Sequence, residues 1–234
     1  MESDVELLGV VDVTDPQELP AGGFSSWLQS TRSAQAGDVG ADVPCAGCNA
    51  CCKASYFIHI RPDETEALAL IPEALLFAAP GLPKGNVLMG FDEHGHCPML
   101  IDDACSIYEH RPITCRRFDC RVFPAAGIAA SEDHTALITQ RARRWKFGYP
   151  SEGDRAQHTA VRAAAKFLTE HAECFTNGVP NNSTQLAILA IKVHEVFLEY
   201  QDKSGKPERL PPDLEVAQAI IDASERFEAR VKSS

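Results

Sequence analysis

The run CAGCNACC sets Cys45, Cys48, Cys51 and Cys52 at CxxCxxCC spacing, and Cys97, Cys105, Cys115 and Cys120 follow, so eight of the nine cysteines of this 234-residue chain crowd into one stretch. Such a set must oxidise to disulfides, stay buried as free thiols, or wrap around a cation. Disulfide frameworks belong to small secreted domains. This chain is long enough to bury a core of its own, and its start, MESDVELLGVVDVTD, carries acids where an export signal would be basic. The expectation is therefore metal ligation by thiolates in a cytoplasmic protein.

A CxxC turn lets two sulfurs face one ion while backbone amides point toward them, as in zinc and iron-sulfur sites. Gly47 between the first two thiols suits a tight backbone. Cys51 and Cys52 impose a limit, because neighbouring side chains diverge by about 100° on a helix and nearly 180° on a strand. Either Cys52 serves a second site, or three of these four thiols bind one centre and one stays free. Counting thiols, eight could fill two four-coordinate sites, although one could instead be catalytic or merely buried.

In CSIYEHRPITCRRFDC, Ser106 and Glu109 have capping-box spacing, and Pro112 suits the first residue of a short helix. Cys115 would then lie near a helix amino end, where amides favour thiolate. Four thiolates around a divalent ion leave about −2 of charge, and Lys53, Arg111, Arg116, Arg117 and Arg121 could offset it as outer neighbours.

The rest of the chain reads as α+β, a small metal-stapled domain with short strands followed by amphipathic helices. Residues 1–40 look like a loose leader in which Phe24, Trp27 and Leu28 could dock on the body. Residues 41–125 form the cysteine domain. There Tyr56 to Ile60 suggests a strand, Asp63 with Glu66 opens a helix through Leu76, and two strands join around Asp92 to Gly95, the second carrying Cys97. Residues 126–234 are mainly helical. Apolar spacing predicts helices from about 154 to 175, 183 to 201 and 213 to 231, the last two separated by SGKPERLPP.

Other candidates read more plainly. Cys174 is expected as a small buried hydrophobe, His94 and His96 as turn residues, His59 as a strand residue with a polar contact, and His110 as a surface or outer-shell residue. The basic run RARRWKFGY is expected to be a solvated or cluster-neutralising face, since the net charge of −11 argues against a general nucleic-acid binder. No apolar run approaches the roughly 20 residues that span a bilayer, and no GxGxxG, P-loop, HExxH or GxSxG motif is present.

CAGCNACC, then CPML, then CSIYEHRPITCRRF, resembles the bacterial cysteine-cluster family of zinc- or iron-chelating domains, also called YkgJ-like, over about residues 45 to 123. The resemblance implies ligand roles for Cys45, Cys48, Cys51, Cys52, Cys97, Cys105 and Cys115, while Cys120 joins them from the thiol count. The implied cofactor is zinc, iron or an iron-sulfur cluster. The family includes flagellin lysine N-methylases, so an iron-sulfur oxidoreductase or methyl-transfer enzyme stands beside a metal-binding protein. A zinc-stabilised module binding a protein partner through the C-terminal helices is a third reading.

Overall fold

The structure, a computed structural model, describes residues 18–37, 41, 43, 45, 47–130, 136–200 and 210–233. The acidic start, residues 38–40 of the leader, Gln201 and most of the SGKPERLPP link lie outside the described residues, as does the side chain of Val231.

Much of the expected loose leader is ordered core. β1 (Leu19–Gly23) leads directly into α1 (Phe24–Ala36), which ends at Gly37 with φ 106°. Phe24, Trp27, Leu28, Thr31 and Ala34 fall at helical spacing on one buried face. Trp27 also gives its indole N–H to Asp119 at 2.8 Å.

The cysteine region is made of short pieces. The CxxC turn has Gly47 at φ 69° and closes with Cys48 N–H to the Cys45 carbonyl at 2.8 Å, before a 3-10 turn over Cys51–Lys53. β2 (Ile58–Ile60) is the inner half of the expected Tyr56–Ile60 strand. α2 (Thr65–Leu70) is shorter than the expected helix to Leu76. Ile71 precedes Pro72 and is extended (ψ 124°), because proline disfavours helical backbone before it. The expected cap at Asp63 is not used. Glu64 precedes the helix and accepts from Arg61 N (2.9 Å) and Ile113 N (2.5 Å), tying it to the second cysteine motif.

β3 (Leu76–Ala78) and β4 (Val87–Met89) complete an antiparallel sheet in the order β2-β4-β3, with Met89 opposite both Ile58 and Leu76. The expected hairpin around Asp92 to Gly95 is therefore a turn without a strand pair. Asp92 accepts from the amides of His94 (2.9 Å) and His96 (2.8 Å), and the chain leaves toward Cys97. The pairing occurs instead between β5 (Leu100–Ile101) and β6 (Ala104–Cys105), joined by Asp102 and Asp103 at φ 49° and 59°. Positive φ at both central residues matches the twist of a two-residue hairpin.

α3 (Ile113–Arg117), α4 (Val122–Ala126) and α5 (Ala136–Arg143) follow, then β7 (Trp145–Gly148), which pairs in parallel with β1. α6 (Glu152–Glu170) starts at a reciprocal Ser151–Asp154 capping box and buries Ala160, Val161, Ala164, Ala165, Phe167 and Leu168. The second predicted helix divides at His194 into α7 (Ser183–Val193) and α8 (Glu195–Leu198), and α9 is Asp213–Ser233. The larger core joins α1, α4 and α6–α9 to Cys120, with Cys48 and Cys51 packed against it. A smaller core of Ile60, Ile71, Met89, Met99 and Ile107 takes Cys97 and Cys105 on its flank. Among the described residues no helix is long and apolar enough to cross a membrane.

Candidate metal centre

Four of the eight clustered thiols share one cavity, and the other four are grouped by which sulfurs act most strongly on one another. Cys45, Cys48, Cys51 and Cys120 line one cavity of about 30 Å³ together with Ile138, Arg141 and Trp145. Burial pushes the Cys51 thiol well up, and the sulfurs of Cys120, Cys45 and Cys48 act on it more strongly than that of its neighbour Cys52. Cys120 is buried after α3 and is pushed up to about 12, mainly by burial, while the Trp145 indole opposes the shift by donating to Sγ at 3.2 Å. Burial also raises Cys45; Cys48 and Asp119 add to the rise, and Arg111 and Arg141 counter it.

The second foursome is Cys52, Cys97, Cys105 and Cys115. Cys52 is pushed up to about 12 by burial, then by Cys97 and Cys105, with smaller contributions from Cys48 and Cys45. Cys115 reaches about 12 by burial and then through Cys97, Cys52 and Cys105. Burial raises Cys97 too, opposed by the amides of Met99 and Leu100. Four separate elements deliver these sulfurs. Cys97 N–H bonds the Cys52 carbonyl at 2.7 Å, Cys105 pairs with Leu100, and Thr114 in α3 bonds the His59 carbonyl of β2 at 2.7 Å, which seats Cys115.

Cys51 and Cys52, consecutive on one 3-10 turn, thus have different strongest neighbours, and only Cys51 lines the cavity. The donor chemistry fits a thiophilic cation. Within each set the sulfurs are gathered more loosely than the roughly 3.8 Å edge of a tetrahedral tetrathiolate site: among the described residues, no three cysteine sulfurs form a group lying within 4.8 Å of one another. Ionising these thiols one beside another without a positive charge is costly, and a cation removes that cost.

Several sequence expectations need correction. Cys115 does lie in a short helix, but Pro112 precedes it as the cap, and burial overrides any thiolate preference from the helix amides. Ser106 bonds the Met99 carbonyl at 3.0 Å, and Ile107 caps the next 3-10 turn, so no capping box forms. Of the five basic residues, Lys53 pairs with Asp103 (2.6 Å), Arg121 with Asp119 (2.9 Å), and Arg117 reaches the Gly37 carbonyl (3.1 Å). Arg116 is exposed, whereas Arg111 acts on both Cys45 and Cys115. The histidines agree with expectation: His59 in β2 contacts Asn86 at 2.8 Å, His110 is exposed beside Glu66, and His94 and His96 occupy the Asp92 turn. Cys174 is only partly buried, at the end of a 3-10 turn, and packs against the larger core from its edge.

Sequence reasoning missed Trp145 as a neighbour of the thiols, and it treated Arg141 only as one member of a basic run. Trp145 is reached through the parallel β1–β7 pair, a contact between segments more than a hundred residues apart that leaves no local signal.

Residues 44–139 match the CxxCxxCC family model, described as "Putative zinc- or iron-chelating domain". The match includes Ile138 at the first foursome and ends before Trp145. No curated protein and no solved structure matches the chain significantly.

Proposed function

We propose, from the match of residues 44–139 to the model of a zinc- or iron-chelating domain, that the chain holds metal at two thiolate centres. One is Cys45, Cys48, Cys51 and Cys120. The other is Cys52, Cys97, Cys105 and Cys115. The observation that carries this reading is that Cys45, Cys48, Cys51 and Cys120 line one cavity whose lining leaves out Cys52, the neighbour of Cys51.

The bound metal supplies positive charge that keeps the sulfurs deprotonated. The chain's own residues do the rest. Trp145 donates to Cys120, the Met99 and Leu100 amides face Cys97, and Arg111 lies near a thiol of each set. Strands of two or three residues hold little by themselves, so the centres fasten Cys45–Cys52 to Cys97–Cys120 and fix the small sheets between them.

A binding role is favoured over catalysis at the first centre by volume. A cavity of about 30 Å³ accommodates an ion or a water or two, not an organic substrate or methyl donor. Nine free thiols suit a reducing compartment, consistent with the cytoplasm.

Anaerobic purification followed by metal and acid-labile sulfide analysis tests the proposal. Two equivalents of zinc or iron per chain without sulfide are expected for mononuclear centres; iron with stoichiometric sulfide and a bleachable visible spectrum would assign clusters to the same thiols. Folded protein free of both would overturn it.

A further inference from the structure

A different set of metal-ligating groups lies at the far end of α6. After Glu170 the chain turns through a 3-10 segment, Ala172–Cys174, and α9 begins nearby at Asp213. His171 anchors its amide to the Phe167 carbonyl at 2.9 Å, and its ring stacks on Phe167 with centroids 4.5 Å apart, which fixes where its nitrogens point. Its Nδ1 lies 3.4 Å from Asp213 Oδ2 and 3.9 Å from Glu173 Oε1. The ligand atoms of His171, Glu173 and Cys174 all fall within 4.8 Å of one another, a group that leaves out Asp213, which reaches the site through His171. Cys174 is also close enough for both carboxylates, Glu173 and Asp213, to act on its thiol.

Those spacings are informative. Both exceed the 2.7–3.2 Å of an N–H···O hydrogen bond, so His171 is not simply bonded to a carboxylate. With nitrogen and oxygen ligands at about 2.0–2.1 Å and sulfur at about 2.3 Å, the edges of a tetrahedral site run to roughly 3.3–3.6 Å. The His171–Asp213 separation matches such an edge, and the Glu173 carboxylate needs a small rotation. Glu173 and Asp213 side chains are 73% and 56% exposed, so ion pairing alone gives this cluster little reason to hold together. Imidazole, thiol and two carboxylates combine ligand types that a borderline transition ion accepts, and that calcium or magnesium, with their preference for oxygen, do not.

We propose that His171, Glu173, Cys174 and Asp213 form a third metal site, selective for a borderline divalent ion such as Zn²⁺, which pins the start of α9 to the end of α6. The site is independent of the eight clustered thiols, and the metal bridges segments that flank the chain between residues 175 and 212.

The test is residue-resolved thiol footprinting on the full chain, purified with its thiolate metal in place. Zn²⁺ alone is added in steps, the protein is alkylated and digested, and the Cys174 peptide is quantified apart from those of Cys45 to Cys120. Zinc is expected to slow Cys174 alkylation about tenfold or more, with Mg²⁺ without effect. His171→Ala and Asp213→Asn are each expected to raise the zinc concentration needed by about tenfold or more. Where His171→Ala lowers helical content, the exposed Asp213→Asn alone decides. No protection of Cys174 by zinc, or protection unchanged in Asp213→Asn, would overturn the proposal, since zinc would then be absent or held without the carboxylate that ties it to α9.

Discussion

Replacing Trp145 with Phe removes one donor from one thiol and leaves the second foursome untouched. The Trp145 ring is 4% exposed and its Nε1–H reaches Cys120 Sγ at 3.2 Å in a cavity closed by Ile138 and Arg141. A hydrogen bond to a charged acceptor contributes about 1.5–3 kcal/mol. At about 1.4 kcal/mol per tenfold, its loss should weaken metal at the Cys45, Cys48, Cys51 and Cys120 centre by roughly 10- to 100-fold. The smaller ring also leaves a gap in the larger core, costing on the order of 1–2 kcal/mol of global stability. Competition against a chromophoric chelator isolates the first effect, whereas urea unfolding reports the packing loss together with the weakened metal. One equivalent of metal should weaken while the other keeps its wild-type affinity. Equal weakening of both equivalents, or of neither, would refute the argument that Trp145 tunes one centre.

Gly95 has φ 78°, and a Cβ there would sit 2.2 Å from Ser55 Oγ in the turn that brings Cys97 to Cys52. Gly95→Ala should destabilise the fold by about 1–2 kcal/mol or more and lower metal retention at the second centre, read by chemical unfolding and metal analysis. Phe123→Ala, at a side chain 1% exposed in the larger core, should cost about 3–5 kcal/mol in urea unfolding. Acidity should act through the thiols. Cys52, Cys115 and Cys120 are pushed up to about 12 without metal, so binding releases protons near neutrality. Apparent affinity should fall as pH falls, by up to about tenfold per unit for each proton released, measured by chelator competition between pH 6 and 8. In the metal-free chain these raised values favour folding fully below the ordinary thiol value of about 8.5, and that contribution is lost as pH climbs toward about 12.

What the sequence made legible was local. The divergence of Cys51 from Cys52 follows from backbone geometry, and α6 and α9 follow from apolar spacing; each needs only a window of neighbouring residues. Cys120 could be reached only by counting thiols, because its partners Cys45, Cys48 and Cys51 lie about seventy residues away. The pairing of Cys52 with Cys97, Cys105 and Cys115 depends on the Asp92 turn, the Asp102–Asp103 hairpin and the Thr114–His59 bond, none of which the cysteine spacing encodes. α1 was read as loose because Gly, Ser and Ala surround its few large residues. It packs against α6 and against Phe147 of β7, more than a hundred positions away. Cys115 shows a competition between effects: a five-residue helix offers a weak dipole, and burial among other sulfurs outweighs it.

The most direct test of the two-centre account is metal content per chain in Cys120→Ser, Cys115→Ser and the double variant, all purified anaerobically and freed of loosely held ions. Each single substitution should remove about half of the thiolate-bound metal and the pair nearly all of it. Complete loss from either single change in protein that still folds would mean that all eight sulfurs share one centre, contrary to the division at Cys51 and Cys52.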